Sequence, residues 1–385
     1  MSVETAPNQL NVPYLDISDP SFAMQSEELR NAREASWYAK TNYGIAVLRY
    51  DEVSKLLKSP KLIQGSAKWP AHNGVHGGLF YDWWTKNLLV LEGEDHHRIR
   101  RLLNPAFSPR LIKDLVPRFQ ALANELIDDF IDSGSCEFIG DFAEPYATRV
   151  LTILLGIPEN EWPTIARLAS TIGLALGVTF KQDLDKVDAA VAELYAYAED
   201  LIKDRQANPG EDFVSRLVLA SRDGDKLNDE ELRNALVLLI FGGMDTTRNQ
   251  LGLAMQSFMR NPEQWELLAE RPELGAKAVE DFTYQGLEIA AGTTVHLFTQ
   301  ASGTDPLAFP NPELDLLGEH PAHYGFGGGV HHCLGHFVAR ADMSEALPLL
   351  ASRLANPHLT GGDEWLPDSG NTGPIRLPIG FTKRR

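Results

Sequence analysis

The sequence predicts a mainly α-helical protein with a small β part, organised as a single domain over residues 1–385. Three observations carry this. Long stretches place apolar residues at helical spacing and begin on capping residues. Only a few short segments read as extended. No internal repeat, low-complexity tract or linker interrupts the chain, although length alone would allow two or three domains.

In chain order, Tyr43 to Tyr50 reads as a strand, and Asp51 is placed to cap a helix over Glu52 to Leu57 that Pro60 ends. Residues 62–86 form a long irregular stretch carrying Trp69, Phe80, Tyr81, Trp83 and Trp84. Such a stretch serves equally well as a pocket wall or lid and as an anchor in the core. His96 to Leu103 begins a basic helix, and Ser108-Pro109 opens another that runs to about Ile131. Glu144 to Leu155 and Glu161 to Leu176 follow as helices, with Gly177 a break. Leu184 to Asp204 is long and amphipathic. Cap signals at Asp225 to Asp229 precede a helix over Glu230 to Met259, and Asn261-Pro262-Glu263 starts the next, to about Glu270. The texture then changes. Asp281 to Ala290 and Thr293 to Thr299 look extended around an Ala291-Gly292 turn. Asp305 to Tyr324 is rich in proline and turn residues, Phe326 to Gly329 is a glycine-rich loop, and Gly335 to Leu354 is a final long helix.

Composition narrows the partners. A net charge of −18 argues against nucleic acid and anionic membrane surfaces. Residues Met1 to Asp19 lack the basic start and apolar run of a signal peptide. No stretch approaches the roughly eighteen apolar residues of a membrane span. The expectation is a soluble, cytoplasmic protein with no membrane partner. Two cysteines make no disulfide framework. Cys136, in Ser-Gly-Ser-Cys-Glu-Phe, reads as a small half-buried residue at the start of an extended segment.

Cys333 has a different setting, in Phe326-Gly327-Gly328-Gly329-Val330-His331-His332-Cys333-Leu334-Gly335. A thiolate ligand must be deprotonated, so positive charge or N–H donors must lie near it. A cysteine just before a helix has free backbone donors and the favourable end of the helix dipole. The glycines let the backbone approach a flat group closely. A zinc site is the alternative for His331-His332-Cys333, but adjacent residues rarely supply three tetrahedral ligands and no second cysteine pair exists. A nucleophilic cysteine lacks its Cys-His-Asn pattern.

A second unusual string lies in the helix over Glu230 to Met259: Phe241-Gly242-Gly243-Met244-Asp245-Thr246-Thr247. Two glycines inside a helix cost roughly 1 kcal/mol each relative to alanine. They let the helix lie against a ligand, and Thr246 can bond back to an earlier carbonyl and loosen the ladder. Asp245 beside Thr246 offers an acid and a hydroxyl for proton delivery. A helix kinked only for packing is the alternative.

The cysteine string resembles the signature of the cytochrome P-450 superfamily, Phe-Gly-x-Gly-x-His-x-Cys-x-Gly, at every specified position. The glycine string resembles that family's oxygen-activating motif, (Ala/Gly)-Gly-x-Asp-Thr-Thr. The resemblance implies a P-450-like fold, haem b with Cys333 as the iron ligand, and dioxygen bound on the other face of the macrocycle. Thr246 would then act on the oxygen side, with Gly242 beside the ligand, and Asp245 would relay protons for O–O cleavage. Phe326, Gly329 and Gly335 would shape the cofactor loop, and His331 would donate to a haem propionate. Glu94-Asp95-His96-His97-Arg98-Ile99-Arg100-Arg101 resembles the family's propionate-binding helix. His96 and Arg100 share one face of it. A solvated basic stripe is the plainer alternative. Arg101, Arg110, Lys113 and Arg118 would face a redox partner.

The resemblance spans about Tyr43 to Phe381 and breaks in one place. The chain starts the family's Glu-x-x-Arg helix at Ala278-Val279-Glu280, yet Thr283 stands three after Glu280 where arginine belongs, and the residues after Glu280 resemble a later β segment. His320 stands near the place of a third, arginine partner. Loss of all members of a buried charge network is less damaging than loss of one. The leading expectation is a monooxygenase of small-to-medium apolar substrates, supplied with electrons by a separate ferredoxin and an NAD(P)H-dependent reductase. The second is a catalytically impaired haem- or ligand-binding relative. A peroxide-driven enzyme fits Asp245-Thr246 less well.

Overall fold

The computed structural model describes residues 12–19, 21–59, 61–177, 180–220, 226–276, 294–310, 314–318, 321, 323–365 and 373–384. The elements, in chain order, are β1 (Tyr14–Leu15), α1 (Glu27–Ala35), β2 (Tyr38–Thr41), β3 (Gly44–Val47), α2 (Tyr50–Leu57), α3 (Trp69–His72), α4 (Leu79–Trp84), α5 (Gly93–Leu103), α6 (Pro109–Phe130), β4 (Ser135–Glu137), α7 (Glu144–Leu155) and α8 (Trp162–Gly173). They continue with α9 (Leu184–Ala207), α10 (Phe213–Ala220), α11 (Asp229–Arg260), α12 (Pro262–Glu270), β5 (Thr294–Leu297), α13 (Thr299–Ser302), α14 (His336–Arg353), β6 (Leu354–Leu359), β7 (Glu364–Trp365), β8 (Pro374–Arg376) and β9 (Pro378–Lys383). The protein is thus mainly α with a small β part. Among the described residues, no helix is long and apolar enough to cross a membrane.

The chain forms two compact units. The first comprises Met1–Ile63, Val279–Pro312 and Glu319–His332. Its sheet has the order β1-β2-β3-β5. β2 and β3 form an antiparallel hairpin, and β5 joins β3 in parallel with Gly44 opposite Thr294 and Val47 opposite Leu297. Leu29 and Ala32 of α1 pack on Ala39, Ala46 and Phe298. Arg49 pairs with Asp305 at 2.8 Å, and the same carboxylate accepts the Tyr50 N–H.

The second unit comprises Gln64–Ala278, Glu313–Gly318 and Cys333–Arg385. α11, 32 residues long, packs against α7, α8 and α9. Its start is fixed by a reciprocal pair: Asn228 Oδ1 accepts from the Glu231 N–H, and Glu231 Oε2 accepts from the Asn228 N–H, both at 2.9 Å. Ser108 caps α6 ahead of Pro109, and Gly156 ends α7 in the left-handed conformation. One core gathers Trp83, Phe180, Phe213 and Phe241, and another gathers Phe119, Phe138, Tyr146 and Trp265.

Several expectations shift. α2 begins at Tyr50, with Arg49 as its cap, so Asp51 sits in the first turn and does not cap it. There its carboxylate still meets the positive end of the helix. Residues 62–86 are not irregular throughout, since they contain α3 and α4. Phe80, Trp83 and Trp84 turn inward as core, which decides between the two readings of that stretch for these residues. α1, β2 and α10 were not anticipated. Asp281 to Ala290 lies outside the described residues, as do Glu280, Thr283 and His320.

Candidate functional site

α11 is uncovered along one face. Leu239, Gly242, Thr246 and Gln250 are half-buried or exposed, while Ile240, Met244, Asp245, Thr247 and Leu251 are buried. Steps of three and four residues put the uncovered set on one stripe. Thr246 is thus exposed in the middle of a helix that is otherwise packed on its neighbours. Its Oγ1 donates to the Gly242 carbonyl at 2.6 Å.

The two adjacent glycines have different surroundings. A Cβ at Gly242 would meet nothing within 4 Å, whereas one at Gly243 would lie 2.9 Å from Leu151 Cδ1 on α7. From sequence both are expected to serve a ligand. Only Gly242 faces open space, and Gly243 serves close helix packing.

Asp245 is 4% exposed and forms an ion pair with Arg248, one turn further along α11. A Cβ at Gly173, the last residue of α8, would sit 3.6 Å from the Asp245 carboxylate. Arg248 Nη1 also reaches Glu144 Oε2 at 3.3 Å and Ser170 Oγ at 3.2 Å. Its Nε and Nη2 donate to Asn249 Oδ1 at 3.2 and 3.1 Å. Sequence reasoning missed Glu144, Ser170, Arg248 and Asn249. The available signal was an arginine directly after Asp-Thr-Thr in an apolar helix, a place where a charge requires partners.

Cys333 is half-buried and stands just ahead of α14. Burial pushes its thiol up, while the Gly335 N–H, the Arg100 charge and the His336 N–H pull it down. His336 Nδ1 lies 2.8 Å from the Cys333 carbonyl. A Cβ at Gly335 would meet nothing within 4 Å. On α5, His96 is 1% exposed and Arg100 half-buried. Burial pushes Arg100 down and the field of Cys333 opposes this, so the second unit brings the guanidinium and the thiol together. The neighbouring Arg98 faces elsewhere, pairing with Glu231 at the start of α11.

Residues Phe326 to His332 belong to the first unit. Gly329 has φ +64°, and a Cβ there would lie 2.6 Å from the Leu57 carbonyl oxygen, so no side chain fits. Gly329–His331 forms one tight turn, and His331 is half-buried. The Phe326 ring lies 5.5 Å from that of His323 and 6.3 Å from that of His332. Tyr324 holds the loop to α2 through its hydroxyl, 2.5 Å from Ser54 Oγ.

These residues fit a haem. One soft sulfur has two amide donors, a half-buried guanidinium stands close enough to feel its charge, and the helix face at Gly242 is free of side-chain bulk. Arg101, Arg110, Lys113 and Arg118 are all exposed. Lys113 and Arg340 also line an apolar groove of about 320 Å³ between α6 and α14, with Ile112, Val116 and Phe337.

The family described as Cytochrome P450 matches over residues 165–270 and 272–370. Luteothin monooxygenase of Streptomyces thioluteus is 34% identical, over 99% of this chain and 98% of its own length. Mycinamicin IV hydroxylase/epoxidase of Micromonospora griseorubida is 29% identical over 95% and 97%. Among solved structures, the bacillaene polyketide synthase cytochrome P450 PksS of Bacillus subtilis 168 superposes with a TM-score of 0.82 at 26% identity, covering 94% of this chain and all of that one. Fold and relatives define a haem-dependent oxygenase, an oxidoreductase that uses dioxygen, a substrate and redox partners. The chain belongs to the cytochrome P450 family.

Proposed function

We propose that the chain is a haem b monooxygenase that places one atom of dioxygen in a small-to-medium apolar substrate. Its electrons come from a separate ferredoxin and an NAD(P)H-dependent reductase. The observation that carries this reading is Thr246, exposed on the clear stripe of α11 with the buried Asp245 beside it. Bound haem supplies the activation of dioxygen. Cys333 is the iron ligand, with the amides of Gly335 and His336 tempering its charge. His96 and Arg100 would hold a propionate, and Gly335 and Gly242 would leave room for the macrocycle. Thr246 holds a proton at Oγ1 on the reactive side, and Asp245 resupplies it. The uncovered Leu239 and Gly242 suit an apolar substrate. The words "polyketide biosynthesis" in the name of the relative PksS make polyketides the first compounds to screen. The exposed cations of α5 and α6 and the groove beside Lys113 suit an acidic ferredoxin, which their field would steer. All 385 residues act as one domain, in the cytoplasm.

The absorption spectrum of the reduced protein with carbon monoxide is the test. A strongly red-shifted Soret band that Cys333→Ser abolishes is expected. Turnover with a surrogate ferredoxin system under labelled dioxygen should then put one labelled atom in the product. A band of neutral thiol or histidine ligation, or no haem, overturns the proposal. Turnover with peroxide alone and none with the electron donors would overturn the ferredoxin part.

A further inference from the structure

Arg248 is shared by two carboxylates of unequal exposure, and we infer that Glu144 is a positioning residue for proton delivery: by competing for Arg248 it frees Asp245 to take up a proton. This rests on the reading of Asp245 as the proton relay.

The Arg248 side chain is 7% exposed. Its fork is held at the base by Asn249, whose Oδ1 accepts from both Nε and Nη2. The two ends reach different acids. Nη2 pairs with Asp245, whose side chain is 6% exposed, and Nη1 reaches Glu144, whose side chain is 34% exposed. An ionic chain thus runs from the residue beside Thr246 to one that meets solvent. Asp245 ionised and held by a guanidinium carries no proton, so the pair must loosen for the relay to act. A buried arginine that releases one carboxylate with no other in place is an uncompensated charge, the costly case. Glu144 supplies the second carboxylate. It lies in the first turn of α7, on the helix that packs against α11. Ser170 Oγ adds a neutral acceptor on the same side, at 3.2 Å. Arg248 therefore leans towards Glu144 and Ser170 as it leaves Asp245, with Asn249 as the pivot.

The test uses the full-length holoprotein. Glu144→Gln keeps the size and removes the charge at a partly exposed position. Product per electron should fall by about tenfold, well inside the range for a lost proton-transfer contribution. Peroxide release should rise and the solvent deuterium isotope effect should grow. A resting-state readout accompanies these: the C–O stretching frequency of the carbon monoxide adduct, followed against pH. The Asp245 transition should move to lower pH in Glu144→Gln, because Arg248 then stays on Asp245. The melting temperature and substrate affinity should hold. In an Arg248→Gln background, where there is no guanidinium left to compete for, Glu144→Gln should add nothing. If Glu144→Gln leaves coupling, isotope effect and pH transition unchanged while Asp245→Asn loses product, the inference fails and the relay stands. If Asp245→Asn also turns over normally, the relay reading fails. An effect of Glu144→Gln that persists in Arg248→Gln overturns the route through Arg248.

Discussion

Thr246 Oγ1 sits 2.6 Å from the carbonyl oxygen of Gly242, one turn earlier on α11, and donates its proton to it. The bond ties the exposed hydroxyl to the residue that keeps the helix face clear. Thr246→Ala should leave the spectrum of the carbon monoxide adduct intact and cut product per electron by roughly 100-fold, the scale of a lost proton-transfer group. Thr246→Ser, which keeps the hydroxyl, should recover much of it. Product and peroxide counted against NAD(P)H consumed check both.

Adjacent glycines should respond in opposite ways. Gly243→Ala drives a methyl to 2.9 Å from Leu151 and should destabilise the fold by about 1–3 kcal/mol, less a gain of about 1 kcal/mol in helix propensity. Gly242→Ala meets nothing within 4 Å and should keep that gain. Its effect should appear in the substrate-induced spectral shift. Urea unfolding of both variants separates the two roles.

The Trp83 ring is fully buried against Phe80, Trp84 and Phe241. Trp83→Ala should therefore cost about 3–5 kcal/mol, as for other buried aromatics, and Trp83→Phe much less. A wall residue of the substrate pocket would instead change binding at little cost in stability. Unfolding and substrate titration of the two variants discriminate these.

Burial pushes the Glu52 carboxyl from 4.5 up to about 7, aided by Asp51 and Asp305 and opposed by its own backbone hydrogen bond and Arg49. The folded protein thus holds this proton more tightly than the unfolded chain. The contribution to stability is complete below about pH 4.5 and is lost as pH rises through about 7. Glu52→Gln should match the parent near pH 4.5, exceed it at pH 8 and flatten the fall between. Urea midpoints at the two pH values measure this.

Much of this was legible in the sequence because it is local. The helix over 144–155 was read to the residue, and α11 to within one residue at each end, since apolar spacing and the Asn228 signal act over a few positions. The Cys333 string and Asp245-Thr246 were likewise visible as strings. What escaped depends on partners distant in sequence. Arg248 and Glu144 are 104 positions apart and meet only when α7 packs on α11. Asp342, fully buried and pushed well above the usual carboxylate range by that burial, reads in sequence as one more polar residue of α14. The division of labour between Gly242 and Gly243 depends on Leu151, which no local pattern points to. The aromatic stretch was ambiguous because a tryptophan suits a wall and a core alike, and only burial decides.

The packing of Trp83 gives the protein an optical antenna. Its indole stands edge-on to Phe241 with ring centroids 5.8 Å apart, and its N–H points to the Asn234 carbonyl at 3.4 Å. Both contacts lie on α11, one of them on the residue before Gly242. A shift or twist of that rod would alter the polarity and the quenching around one indole. In a variant with the other six tryptophans replaced, the colour of its emission would then record movement of the helix without any label attached.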